Sequence, residues 1–348
     1  MTPQRFSIRL HGGIDPRRSI ELAAAAEASG FHCVWFAENA FNRGVLPAAA
    51  ACAAATRRVG IGIGVFNPYN RHPTLIAMEI GALDELARCR ARLGIGSGIA
   101  SATQRMGLGS DHSLAAVRDA INIVRGLLSG QDVDYRGRAF SAINASLEYA
   151  VLRRDIPLLM AARGEQALRL CGRIADGLMI SNMCPPEFTR HAVAVVADAA
   201  RQAGRCAPAD VIQYVPCALC ADADEARHLA KEALARMLPG FWSLAQRVGA
   251  AKSALLRAEN LSEADFAGAV ERLRAGVDAA AAIDDRFVAA FALAGTAGEC
   301  VAQARQYFEA GATELALGFV GLQPEDAMRS LGEAFCSSTS CSSLGESA

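Results

Sequence analysis

A (β/α)8 barrel with a helical insertion between its seventh and eighth strands is the fold that this sequence predicts. Three observations lead there. Short apolar runs alternate with helix-period segments along nearly the whole chain, which is the pattern of a parallel sheet covered by helices. The stretch 59–98 (VGIGIGVFNPYNRHPTLIAMEIGALDELARCRARLGIGSG) is itself a complete strand–helix–strand unit. And 348 residues, 52% hydrophobic and 20% charged, suit one large domain with a sizeable core.

The first strand is expected at residues 6–10, followed by Gly12-Gly13 and a helix over 16–29. Pro16 stands where a missing N–H costs nothing, and Gly30 serves as the C-cap. The second strand, 32–37, opens into a polar loop from Glu38 to Gly44, and an Ala-rich helix (46–56) follows. Strand three (59–65) ends in a rigid Asn67–Pro73 turn, and the next helix presents Leu75, Met78, Ala82, Leu83 and Leu86 as its apolar residues. Strand four (93–96) closes on Gly-Ser-Gly.

Beyond a polar loop to Asp111 come a helix (114–128), a small hairpin (132–140) turning at Arg136-Gly137, and strand five at 156–160. Helix 165–174, strand 177–181, helix 186–203 and strand 211–219 continue the alternation. Residues 222–292 are helical in pattern and longer than one crossover needs, hence the insertion, as a cap or a dimer surface. Helix 298–310, strand 313–319 and helix 324–335 complete a single domain over 1–335, and the Ser-rich tail 336–348 is expected to be disordered.

A formal net charge of -1 gives no footprint for nucleic acid or an acidic membrane. No run is long enough to span a bilayer, and MTPQRFSIRL lacks the apolar block of a signal peptide, so a cytoplasmic protein is expected. The eleven cysteines are scattered singly. Cys217-x-x-Cys220 lies in a strand-like run that would point the two thiols to opposite faces, so no metal site is expected.

Glycines alternate with aliphatics in strands three and four (Gly60, Gly62, Gly64; Gly94, Gly96, Gly98). Such runs mark either tight packing or close approach of a flat ligand, and loops at both carboxyl ends favour the ligand. Barrel chemistry sits at the carboxyl ends of the strands. That places His11, Glu38, Asn39, Asn67, Ser97, Gly98, Ala161, Ala162, Arg163 and Gly164, and the loop 181–184, around the mouth. In strand one Phe6, Ile8 and Leu10 take one face and Ser7, Arg9 and His11 the other, so Arg9 points into the barrel. A buried guanidinium needs a partner, and Glu38 at the end of the next strand is the expected one. Residues 161–164 end a strand and open a helix, whose free N–H groups suit a phosphate. No Ser-His-Asp order, H-E-x-x-H or Walker-type loop is present, so hydrolase chemistry has no support.

These residues resemble the luciferase-like superfamily of flavin- and deazaflavin-dependent oxidoreductases, and within it the methylenetetrahydromethanopterin reductase type. The resemblance runs from about Phe6 to Phe335. It is carried by Asn67-Pro68-Tyr69 with Arg71 and Pro73, by Leu83-Asp84-Glu85-Leu86 followed by Leu93-Gly94-Ile95-Gly96-Ser97-Gly98, and by Ile174-Ala175-Asp176-Gly177. It implies a homodimeric barrel that binds FMN or coenzyme F420 at its mouth, with a non-proline cis peptide at Gly64-Val65. Glu38, Asn67, Ser97 and Gly98 would line the ring and ribityl chain, and Arg163, Gly164, Gln166 and Ala167 would hold the phosphate. Arg9, Glu38 and Asn39 are the candidates for catalysis.

The chain also departs from its relatives. Many carry Asp-His where this chain has Glu38-Asn39, and sugar-phosphate dehydrogenases place an acid at the position of Ile99. Methanopterin reductases have an acid where this chain has Arg9, and Cys89 replaces a turn glycine. Without the histidine base, dehydrogenation of an alcohol is disfavoured. The leading expectation is hydride transfer between reduced deazaflavin and a small organic substrate, a pterin among the options. The alternatives are an FMN-dependent monooxygenase fed by a separate flavin reductase, and a flavin-binding protein without turnover.

Overall fold

The computed structural model describes residues 4–109 and 111–342. Eight parallel strands close into a barrel: Arg5–His11, Cys33–Ala37, Gly60–Phe66, Ala91–Ile95, Leu158–Ala161, Gly177–Ile180, Asp210–Leu219 and Glu314–Val320. Closure comes from the eighth strand pairing with the first (Arg5 opposite Glu314). A three-residue strand, Leu293–Gly295, adds to the upper part of the seventh.

Period-two alternation decides what lies inside. Phe6, Ile8, Val34, Phe36, Ile61, Ile63, Leu93 and Ile95 are buried in the cluster between sheet and helices. Cys33, Trp35, Leu159, Met179, Ile212, Tyr214 and Ala316 fill the lumen. The lumen floor is ionic. Glu314, with no exposed surface, accepts from Arg92 (2.6 Å), Ser7 Oγ (2.6 Å) and Trp35 Nε1 (2.6 Å). Asp210 bridges Arg92 (2.7 Å) and Arg5. Beneath it, a cavity of about 320 Å³ lined by Arg5, Glu27, His32 and Phe335 opens at the amino ends of the strands, the end of such barrels that serves stability.

Of the five apolar residues singled out on the helix Pro73–Leu86, capped by His72, only Leu83 turns inward. Ile76, Ala77, Ile80 and Leu83 are buried, whereas Leu75 (41%), Met78 (50%) and Leu86 (44%) are exposed. This helix is apolar on nearly all sides, so periodicity could not choose its face. Cys89 has φ +63° and Arg88 φ +52°, so the cysteine does occupy a left-handed turn position, at a cost of about 1 kcal/mol relative to glycine.

The stretch expected to be helical between strands seven and eight holds five helices, from Ala223–Ala245 to Asp285–Phe291. They build their own cluster around Leu234, Trp242, Phe266 and Phe291, with Trp242 stacked on Phe266 at 5.4 Å. Two expectations change. The loop after the fourth strand carries a short helix, Ala100–Arg105. The last helix, Pro324–Ser342, continues into the segment expected to be disordered, and residues 343–348 of that tail lie outside the described ones. Phe335 anchors this helix on Phe6 (ring centroids 4.6 Å), and Ser337 Oγ bonds back to Glu333 O at 2.9 Å. Among the described residues, no helix is long and apolar enough to cross a membrane.

Candidate active site

The carboxyl ends of the strands gather most of the residues singled out above. On strand three the peptide Gly64-Val65 is cis, and the register against strand four shifts between Gly64 and Phe66, so the strand bulges there. Glycines of the two strands face the lumen and fall into two groups. A Cβ on Gly62 would strike the Trp35 ring, so this glycine serves packing. A Cβ on Gly96 would lie 3.0 Å from Val65 Cγ2 and 3.1 Å from Ala161 Cβ, so at the mouth strands three, four and five meet through Val65, Gly96 and Ala161, while Met179 and Tyr214 fill the space against Gly94 and Gly64. The result is a floor poor in side chains.

Tyr214 holds that floor from below. Its hydroxyl donates to the Gly64 carbonyl at 2.9 Å. Burial pushes the phenol well above its ordinary range, so it remains a donor. Arg9 does point into the barrel, and its guanidinium lies over the Tyr214 ring at 5.1 Å. The expected Arg9–Glu38 pair does not form. Glu38 Oε1 instead accepts from Arg71 Nη1 at 3.0 Å, and Arg71 also grips Glu79 at 2.5 Å while covering the Phe66 ring at 4.3 Å. The Asn67–Pro73 turn brings Arg71 back over the end of strand two, and its reach is a tertiary fact that strand spacing could not supply. Glu38 Oε2 and Arg9 Nε are both buried without a hydrogen-bond partner. Burial raises Glu38 above its usual range, with Arg71 opposing.

Asn67 sits between two loops. Its Oδ1 accepts from Tyr69 N (3.0 Å), and its Nδ2 reaches Thr103 Oγ1 (3.3 Å). Gly98, at φ +66°, packs so closely that a Cβ there would press on the Asn67 amide, which makes glycine obligatory. Asn39 turns the chain, its carbonyl accepting from Asn42 N at 3.2 Å, and Ser97 is half-buried beside Gly98. At strand five, Ala161 and Ala162 lead into Gly164, the N-cap of helix Glu165–Ile174. That cap carries no side-chain hydrogen bond, so the first N–H groups, at Gln166 and Ala167, are open to an anion. Arg163 lies across this start, bonded to Ser181 Oγ and to Asn182 O (2.9 Å), with its guanidinium over Phe241.

The structure therefore brings Arg9, Gly64, Val65, Gly96, Ala161 and Tyr214 together, and separately Glu38 with Arg71. Arg71 stood in the sequence only as part of a turn motif. Tyr214 carried no signal beyond its inward place two residues after Ile212. A tricyclic ring with a phosphate tail fits what is present: a floor of small groups for the ring, orphaned buried donor and acceptor atoms, and an uncapped helix start. Among the described residues no group of three or more His, Cys, Asp or Glu could hold a metal ion.

Comparison with known proteins agrees with the barrel fold. Residues 1–314 match the family model described as luciferase-like monooxygenase. The chain is similar to 5,10-methylenetetrahydromethanopterin reductase of Methanolobus tindarius, 29% identical over 314 residues that cover 89% of this chain and 93% of that one. It is also similar to F420-dependent glucose-6-phosphate dehydrogenase of Beutenbergia cavernae, 31% identical over 62% of this chain and 67% of the relative. Among solved structures, the coenzyme F420-dependent tetrahydromethanopterin reductase of Methanopyrus kandleri superposes with TM-score 0.85 at 24% identity, covering 97% of this chain and 99% of that one.

Proposed function

Because the chain belongs to the luciferase-like monooxygenase family, we propose that it is an oxidoreductase that transfers a hydride between reduced deazaflavin coenzyme F420 and a small organic acceptor. The observation that carries this reading is the pairing of a side-chain-poor floor at Gly64, Val65, Gly96 and Ala161 with an uncapped helix start beyond Gly164. The names of the relatives support the deazaflavin over FMN. Gly64, Val65, Asn67, Ser97 and Gly98 would hold the ring and ribityl chain. Arg163, Gly164, Gln166 and Ala167 would hold the phosphate. When bound, the cofactor supplies the hydride, and the protein supplies position, dryness and protons.

Glu38 is the proton store in this scheme. Two carboxylates share Arg71, and burial raises the Glu38 carboxyl against the opposing Arg71 cation, so its acid form persists to higher pH than that of an exposed glutamate. The protonated form is the active one, and a raised pKa extends it upward in pH. Turnover should therefore fall along a limb above the ordinary carboxylate range. Glu38→Gln should lose that limb and about 100-fold or more in kcat. An unchanged pH profile in Glu38→Gln would remove the role.

The decisive experiment for the function is the mass of the extracted cofactor, together with oxidation of reduced F420 on adding candidate acceptors. Protein that binds only FMN and consumes oxygen would overturn the reading in favour of a monooxygenase. A bound ring with no turnover would leave a carrier.

The exposed apolar face of helix Pro73–Leu86 supports a homodimer. Leu75, Met78 and Leu86 stand there, with Tyr149 bonded to Met78 O beside them. Sedimentation at twice the 36.5 kDa chain mass, and at the single mass for Met78→Glu, is the expected result; a wild type that sediments as a monomer refutes it.

A further inference from the structure

We propose that Arg9 is the oxyanion-binding residue of the active site, and that the acceptor is a carbonyl compound, a ketone or a conjugated enone or enoate, rather than an iminium. This deepens the hydride-transfer function proposed above and rests on it.

The guanidinium of Arg9 has no hydrogen bond and no ion pair among the described residues. Its Nε is sealed and unpartnered. The carboxylate nearest in the chain order of the mouth, Glu38, is held by Arg71, and the floor carboxylates Asp210 and Glu314 are held by Arg5 and Arg92. The Tyr214 hydroxyl is committed to Gly64 O, so only the ring face of Tyr214 meets Arg9. His11, the next residue on that face and exposed at the carboxyl end of the strand, accepts from Gly13 N at Nδ1 and adds no negative charge; partial burial and the Arg9 cation both hold it below its usual pKa.

Arg9 is half-buried with its Nε sealed, and a cation so placed without an anion is costly. It is retained where a negative charge arrives in the reaction. Hydride addition to a carbonyl carbon, or to the carbon β to a conjugated carbonyl, forms a C–H bond and drives the π pair onto oxygen. The cofactor is oxidised, the acceptor becomes an alkoxide or enolate, and a proton from Glu38 or water neutralises it. An unpaired guanidinium at the barrel mouth stabilises that oxygen more in the transition state than in the neutral substrate. Addition to an iminium does the reverse: it consumes a positive charge, which Arg9 repels from the outset.

The test uses the holoprotein and 4-nitrophenol, whose anion places a charged oxygen on a flat apolar body. Wild type should bind the phenolate and show its absorption below the pH at which the free phenol ionises. Arg9→Gln should bind it about tenfold to a hundredfold more weakly without that shift, and Arg9→Lys should keep most of it. In turnover, Arg9→Gln should lose about 100-fold or more in kcat with cyclohex-2-enone, while N-methyl-3,4-dihydroisoquinolinium should be a poor acceptor for wild type and a better one for the variant. Equal phenolate affinity in wild type and Arg9→Gln would overturn the assignment even if neither acceptor turns over. A weakened cofactor affinity with unchanged phenolate binding would give Arg9 to the cofactor's own anionic ring and overturn it too. Failure to bind F420 at all defeats the hydride-transfer function instead, and is read separately from the phenolate titration.

Discussion

Glu314→Leu should cost about 3–5 kcal/mol of folding stability, the range found when one partner of a buried ion pair is removed. Glu314 is fully buried and anchors three donors, from Arg92, Ser7 and Trp35. Leucine would leave Arg92 with Asp210 alone, and would strand the Trp35 indole N–H and the Ser7 hydroxyl away from water. Urea unfolding should show the loss as a lower midpoint. The double variant Arg92→Met, Glu314→Leu should recover part of it, because no unpaired cation remains on the floor while Asp210 keeps Arg5. A loss below about 1 kcal/mol would mean that water or relaxed neighbours compensate the floor.

The effect should depend on pH with a definite sign. Burial, the largest single influence, would raise the Glu314 carboxyl, and the charges of Arg92 and His32 with the hydrogen bonds from Arg92 and Ser7 together outweigh it, so the folded-state pKa lies below the ordinary value. Its contribution is present in full above the unfolded carboxylate pKa of about 4.3 and is lost as pH falls through the lower folded value. The gap between wild type and Glu314→Leu should therefore narrow in acid and stay constant near neutrality.

Gly64→Ala should damage both stability and cofactor binding. A Cβ at this position would intrude on the Tyr214 hydroxyl, and would lie 2.7 Å from Met179 Cε and 3.2 Å from Trp35 Cε3. Tyr214 would have to leave the Gly64 carbonyl, and its ring is the surface on which Arg9 rests. Overpacking of a filled lumen and one lost buried hydrogen bond together cost about 2–4 kcal/mol. The floor beneath the ring would shift with them, so cofactor affinity should fall about tenfold or more. Tyr214→Phe should cost about 1 kcal/mol alone and partly rescue Gly64→Ala by making room. Strict additivity of the two changes, measured by thermal unfolding and cofactor titration, would show that the clash is relieved elsewhere.

Much of this was legible in the residues themselves. The alternation of Phe6, Ile8 and Leu10 with Ser7 and Arg9 told inside from outside, because a strand has only two faces and one must meet the helices. The strand–helix–strand unit over 59–98, the turn before Pro73 and the helix start at Gly164 followed from local chemistry. What stayed hidden was partnership across the barrel. Chain order pairs Arg9 with Glu38, yet Arg71 arrives from the loop after strand three and takes that carboxylate. Tyr214 and Glu314 come from strands far along the chain, and nothing near them in sequence marks their roles.

The chain by itself therefore determined the barrel, its register of inward and outward residues, and the small-residue floor, since these depend on periodicity and on the volume of single side chains. Only the tertiary structure decided which of the charges at the barrel mouth meet, and that Arg9 has no ion pair among the described residues. Electrostatic pairing depends on distances between loops of different strands, and a few ångströms separate a neutralised guanidinium from one that waits for an anion.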